Sequence, residues 1–231
     1  MRILTISDTH TKHKQVPPEW LQPADMIIHA GDVTNRGELT DLSYFLDWFS
    51  KLDYKYKIFI AGNHDWCFQD QNKKCLELIK RYNEDLEDKI IYLQDEAKTI
   101  EGIKFYGSPW QPEFCNWAFN VPRGPKKKEK WMMIPKDTDV LITHGPAYGF
   151  VDQVIGREEH LGCIDLHKRI LEVKPRYHIC GHIHSGYGVD GWYHPQTKED
   201  ADLLINHTTF INASVLNERY EIAYKPILIN I

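Results

Sequence analysis

The chain has 231 residues, 42% of them apolar and 12% aromatic, enough to bury a full core in a single domain spanning residues 1–231. A formal net charge of −5 excludes an overall basic field for wholesale binding to nucleic acid or an anionic membrane. Cys67, Cys75, Cys115, Cys163 and Cys180 are odd in number and widely spaced, which argues against a disulfide framework or a thiolate zinc site and points to a reducing cytoplasm.

The first predicted element is a strand over residues 3–7, an apolar run that follows a lone Arg, shows no basic leader or cleavage site, and stops at Asp8-Thr9-His10. A second apolar run, 26–30, stops at Gly31-Asp32. Leu39, Leu42, Phe45, Leu46 and Phe49 then recur at three- and four-residue spacing, which predicts an amphipathic helix. A third strand, 58–61, enters Gly62-Asn63-His64-Asp65, and Cys75, Leu76, Ile79 and Tyr82 mark a second helix. Strands over 104–107, 140–143 and 177–180 follow, the last two ending at His144-Gly145 and Gly181-His182. Final runs at 208–212 and 226–231 lack a following helix and suit a second sheet or an antiparallel edge. Residues 111–135 and 185–207 read as long loops, and no uncharged apolar run approaches the ~18 residues of a membrane span.

Five of these apolar runs finish on a potential metal ligand. In open α/β sheets, residues just beyond the carboxyl ends of different strands meet in one crevice, which would gather Asp8, His10, Asp32, Asn63, His144, His182 and His184. Carboxylates, a carboxamide oxygen and imidazoles suit manganese, iron, zinc or magnesium. Two such cations ~3.5–4 Å apart need a bridging anion, for which Asp32 is the candidate, and would turn water into a hydroxide nucleophile. Each piece has a plainer reading: Asp8 or Asp32 as a cap or turn residue, Asn63 as a turn residue, His144 as a structural histidine. His182-Ile183-His184 fits that reading less well, because alternation places both imidazoles on one face.

Asp8-Thr9-His10, Gly31-Asp32, Gly62-Asn63-His64-Asp65, Thr143-His144-Gly145-Pro146 and Gly181-His182-Ile183-His184, in this order, resemble the blocks of the calcineurin-like metallophosphoesterase superfamily. Tyr106-Gly107-Ser108-Pro109-Trp110 and Ile211-Asn212-Ala213-Ser214 resemble the subfamily that includes the brain metallophosphodiesterases. The resemblance implies a four-layer α/β/β/α sandwich of two mixed β-sheets flanked by helices. It implies one metal on Asp8, His10, Asp32 and His184, a second on Asp32, Asn63, His144 and His182, with manganese favoured. It also implies that His64 gives a proton to the leaving oxygen or stabilises its charge, and that Asp65 orients its imidazole. The activity implied is hydrolysis of phosphodiester bonds in a small substrate, with cyclic nucleotides a candidate class. Phosphomonoester or phosphoprotein hydrolysis, a nuclease, and a non-catalytic scaffold of the same fold are the alternatives.

Outside these blocks, Arg36 has the spacing of the phosphate-clamping Arg in Ser/Thr protein phosphatases, with Asn35 in place of their Asp, and also fits a solvated surface. Lys126, Lys127, Lys128 and Lys130 read as a solvated loop. Trp110, Phe114, Trp117, Phe119 and Tyr187 suit core packing or a stacking contact at the pocket rim. His13, His29, His160, His167, His178, His194 and His207 are assigned no metal.

Overall fold

A computed structural model describes residues 1–84, 86, 89–156, 159–190 and 208–231. The strands are β1 (Arg2–Ile6), β2 (Met26–His29), β3 (Tyr56–Phe59), β4 (Ile90–Tyr92), β5 (Glu96–Ile100), β6 (Ile103–Ser108), β7 (Gln111–Pro112), β8 (Asn120–Val121), β9 (Val140–Thr143), β10 (Tyr177–Cys180), β11 (Gly188–Asp190), β12 (Thr209–Asn212) and β13 (Ile227–Asn230). The helices are α1 (Leu39–Ser50), α2 (Trp66–Asp70), α3 (Asn72–Glu84), α4 (Pro125–Met132) and α5 (Ile164–Val173).

Two mixed sheets form, in the orders β13-β1-β2-β3-β4 and β11-β12-β10-β9-β6-β5, beside a small β7-β8 pair. In the first, β1 to β4 run parallel and β13 closes the edge antiparallel to β1. In the second, β12, β10, β9 and β6 run parallel, with β11 and β5 antiparallel at the two edges. The terminal run thus supplies an antiparallel edge, and the 104–107 and 208–212 runs join the second sheet.

Strand side chains alternate between faces, so apolar runs without polar interruption belong to strands covered on both sides. Ile3, Ile28 and Ile58 of the first sheet pack against Phe105, Val140, Ile142, Ile179 and Ile211 of the second, forming the core between the sheets. Their neighbours Leu4, Ile27 and Phe59 face outward onto Phe45 and Phe49 of α1 and Ile79 of α3. On the far side Tyr106, Leu141 and Phe210 meet Trp131 of α4 and Leu166 and Ile170 of α5. The layers are therefore the expected helix, sheet, sheet, helix.

Two expectations need correction. Residues 111–135 are not one long loop, for they contain β7, β8 and α4. The lysine run is not a solvated loop either: Lys127 lies four residues before Trp131 on the buried face of α4, and its Nζ donates to the Gln111 carbonyl. Its stem packs, and burial lowers its pKa to about 8. In the 185–207 stretch, a short 3₁₀ turn (His184–Gly186) leads into β11, while residues 191–207, with His194 and His207, lie outside the described residues. Strands β4 and β5 carry no legible pattern, being three residues long and a largely exposed edge respectively.

Candidate metal centre

The carboxyl ends of β1, β2, β3, β9 and β10 meet at one edge, where the sheets are joined by a parallel bridge between Ser7 and Ser214. Glycines let the loops approach each other there. A Cβ on Gly181 would lie 2.0 Å from Asp8 Oδ2, and one on Gly62 2.3 Å from Asp32 Oδ1. Asp8 (φ 55°), His10 (φ 40°), Asp32 (φ 56°) and His182 (φ 68°) adopt left-handed backbone that turns their side chains into the crevice.

All seven proposed ligands gather in this crevice. Ligand atoms of Asp8, His10 and His184 lie within 4.8 Å of one another, as do those of Asp8, Asp32 and His144. His10 Nε2 and His144 Nε2 stand 3.5 Å and 3.3 Å from Asp32 Oδ2, and His184 Nε2 stands 3.5 Å from Asp8 Oδ1. Asn63 Oδ1 lies 2.9 Å from His144 Nε2 and 2.7 Å from His182 Nδ1. Asp32 is central to the set.

Backbone carbonyls fix two of the imidazoles. A carbonyl only accepts, so His144 Nδ1 donates to Ala30 O (3.0 Å) and His184 Nδ1 donates to Asn217 O (3.0 Å). In neutral form both rings then present the Nε2 lone pair to oxygen acceptors, an arrangement that a proton or a metal cation resolves. Among the described residues, both ring nitrogens of buried His10 lack any hydrogen-bond partner, an arrangement rare for buried polar atoms. The donor set therefore fits a pair of divalent cations.

The family profile of calcineurin-like phosphoesterases matches residues 1–186. This chain belongs to the calcineurin-like phosphoesterase family, whose members are metal-dependent phosphoester hydrolases. It is 38% identical to human metallophosphoesterase domain-containing protein 1, across 100% of this chain and 71% of that protein. A UPF0046 protein of Caenorhabditis elegans is 36% identical, across 99% of this chain and 74% of its own. The fold is shared with TT1561 of Thermus thermophilus at a TM-score of 0.57 and 14% identity, over 91% of this chain and 88% of that one.

The calcineurin-like centre is strongly polarised. Burial alone would lower His144, but the Asp32 carboxylate reverses this and raises it to about 9. Burial would likewise raise Asp32 and Asp8, yet facing imidazoles, His144 for Asp32 and His184 for Asp8, hold both below the usual carboxylate range. Carboxylates that retain protons on neighbouring imidazoles also favour a metal cation in their place. Burial drives His10 down to about 4 and His182 to about 3, so both are neutral donors near pH 7.

The expected orienting role of Asp65 is corrected by the geometry. Its buried carboxylate accepts from Gly62 N (2.8 Å), Val33 N (3.2 Å), Thr34 N (2.8 Å) and Thr34 Oγ1 (2.7 Å), tying the β2 and β3 loops together. Burial and the Asp32 charge push it up to about 6 while these donors pull the other way. His64 instead donates from Nδ1 to the Asn35 carbonyl at 2.7 Å, and its backbone N donates to Asp32 Oδ1 at 2.8 Å. Arg36 is exposed. Among the aromatics, Phe119 is core, Tyr187 stacks on Tyr224, Trp110 packs on Phe119, and Phe114 stands exposed beside His182.

Three supporting groups escape motif reading. Ser214 Oγ donates to Asp8 Oδ2 at 2.8 Å, and the Ile211-Asn212-Ala213-Ser214 block is its one signal in the sequence. Tyr220 sets its ring against His10 and His184 at 5.0 and 5.2 Å. The carbonyls of Ala30, Asn35 and Asn217 are main-chain atoms, which no residue type announces.

Proposed function

We propose that the chain hydrolyses phosphodiester bonds of a small organic substrate, with cyclic nucleotides the first class to try. One cation would sit on Asp8, His10, Asp32 and His184, and the other on Asp32, Asn63, His144 and His182. When bound, two such cations supply Lewis acidity to phosphoryl oxygens and lower the pKa of water toward neutrality. Manganese is the favoured metal on the basis of the mixed oxygen and imidazole donors. Asp32, approached by His10 and His144, is the carboxylate that would be shared by the two. His64, its Nδ1 proton committed to Asn35, handles the leaving-group proton at Nε2. Residues 1–231 act as one catalytic unit, and the five free cysteines suit a reducing, cytoplasmic setting.

The observation that carries the diester reading is the cleft of about 500 Å³ that opens beside His182 and His184. Its wall is largely apolar, with Phe114, Pro146, Val154, Leu161, Ile183 and Tyr220, and its carboxylates are Glu113 and Glu218. Arg123, the cation among the described residues of that wall, already donates to the carbonyls of Leu161 and Gly162, both at 3.1 Å. A dianionic monoester gains from an extra cation, whereas a monoanionic diester with an apolar substituent suits this wall.

The test is a paired assay of manganese-loaded protein on aryl phosphate mono- and diesters, followed by cyclic and linear nucleotides. The diester is expected to have the higher kcat/KM. Preference for the monoester would overturn the diester reading. Folded, metal-loaded protein that cleaves neither would leave a scaffold, and cleavage of single-stranded nucleic acid with steep salt dependence would indicate a nuclease.

A further inference from the structure

With Asp65 engaged elsewhere, the ring of His64 has one polar anchor among the described residues, the Asn35 carbonyl. This single hydrogen bond restrains the ring, but its angular tolerance still allows the plane of the imidazole to tilt. The plane is set by Trp117, whose indole lies against the imidazole with centroids 4.0 Å apart and 22° between planes. On another side His10 meets the same ring edge-on at 4.5 Å.

Trp117 is itself held by the backbone that follows it. Ala118 N donates to the carbonyl of Asn63 at 3.1 Å, and Phe119 N donates to Gln69 Oε1 of α2 at 2.8 Å. Gln111 Nε2 donates to the Ala118 carbonyl at 2.7 Å, and Phe119 is buried in the core. The indole is thus mounted on a segment bolted to the same turn that carries Asn63 and His64. Such anchoring exceeds what a loosely placed surface aromatic needs, while Trp117 itself remains only half-buried.

We propose that Trp117 is the positioning residue for His64, taking the part that Asp65 plays in the expectation from sequence. The proposal rests on the phosphodiesterase reading, in which His64 serves the leaving oxygen. A flat π-face fixes the ring plane and shields one face from water, so that Nε2 points along a single line. Trp117 acts through His64, not on the substrate, so its loss should matter only as far as the leaving group needs a proton.

The test compares the wild type with Trp117→Leu and Trp117→Phe on a series of phosphodiesters of rising leaving-group pKa. For alkyl leaving groups, Trp117→Leu should lower kcat about 10- to 100-fold with KM little changed, within the range that general-acid catalysis contributes. For a nitrophenyl leaving group the loss should be small, and Trp117→Phe should recover most of it. A second readout needs neither metal nor turnover: in metal-free protein, the carbon-bound ring protons of His64 should be shifted upfield by the indole and return downfield in Trp117→Leu. Equal losses across the leaving-group series, or His64 resonances unmoved by the substitution, would overturn the proposal. If the wild type cleaves no phosphoester, the functional reading falls, and the resonance shift still decides whether Trp117 sets the ring.

Discussion

Asp65→Asn separates a scaffold role from an orienting one. If the amide oxygen replaces Oδ1, it keeps the contacts from Thr34 N and Thr34 Oγ1, at 2.8 and 2.7 Å. The amide NH₂ then replaces Oδ2 and faces the N–H groups of Gly62 and Val33, which donate at 2.8 and 3.2 Å. Flipping the amide only moves the conflict to Thr34. Two buried donors are left facing a donor, at about 1–3 kcal/mol each, so the variant should lose about 2–6 kcal/mol. For a chain of this length that corresponds to a fall in Tm of roughly 5–20 °C. Thermal unfolding of metal-free protein followed by circular dichroism measures it, because an orienting role would appear only in turnover. A variant that melts within about 2 °C of the wild type yet loses activity would refute the reasoning and return Asp65 to the imidazole.

Gly181→Ala should weaken metal binding about 5- to 140-fold by calorimetric titration, since overpacking costs about 1–3 kcal/mol and the new Cβ would fall 2.0 Å from Asp8 Oδ2 and 2.1 Å from Ser7 Oγ. Ser214→Ala removes the 2.8 Å bond to Asp8 Oδ2 and should lower metal affinity about 10- to 100-fold in the same titration, with circular dichroism unchanged. His178 is buried, with its pKa driven down to about 3 by burial, and Nε2 donates to Thr143 Oγ1 because that hydroxyl spends its proton on the Gly145 carbonyl. Its unfolded form takes up a proton first, near pH ~6.5. The stability it contributes is therefore complete above that pH and is lost as pH falls toward 3, by about 1.4 kcal/mol per unit. Urea midpoints of metal-free protein at pH 7 and about 5 should differ less in His178→Gln than in the wild type, and parallel shifts would count against this account.

What is legible in the sequence follows from what side-chain identity encodes. The strands ending at Asp8, Asp32, Asn63, His144 and His182 are largely covered on both faces, so apolar residues dominate them, with the buried polar side chains of His29, Lys57 and His178 as exceptions, and the run stops where the covering stops. The ligands are legible because the loops that carry them carry little else. By contrast, β5 presents Glu96, Lys98 and Thr99 to solvent at the edge of its sheet, and only pairing with β6 makes it a strand. Lys127 misleads because charge suggests solvent, while its place on the helix face relative to Trp131 decides burial. Asp65 misleads because adjacency to His64 in sequence suggests contact, whereas the chain turns between them and sends the two side chains opposite ways, one to the buried loop junction and one to the crevice.

The left-handed residues explain why the ligands sit where the strands end and not within them. An extended strand would carry Asp8 and His10 onward along one face of the sheet, whereas the positive φ at each turns the chain into the crevice at the strand end, at about 1–2 kcal/mol per non-glycine residue. That cost is offset locally. Beyond β1 and β2 the parallel pairing continues through the irregular backbone, with Asp8 N to Gly31 O and His10 N to Asp32 O at 3.0 Å and Thr11 N to Val33 O at 3.2 Å. The β10 end is clamped in the same way, with His182 N donating to both Asp8 carboxylate oxygens at 3.1 Å. Asp8 and Asp32 therefore act twice, as acceptors that hold neighbouring loops in strained backbone and as the carboxylates at the centre of the crevice. Exchanging either one disturbs the shape of the site along with its charge, which is why the contacts around them, Ser214 and Gly181, are the cleaner places to probe metal affinity.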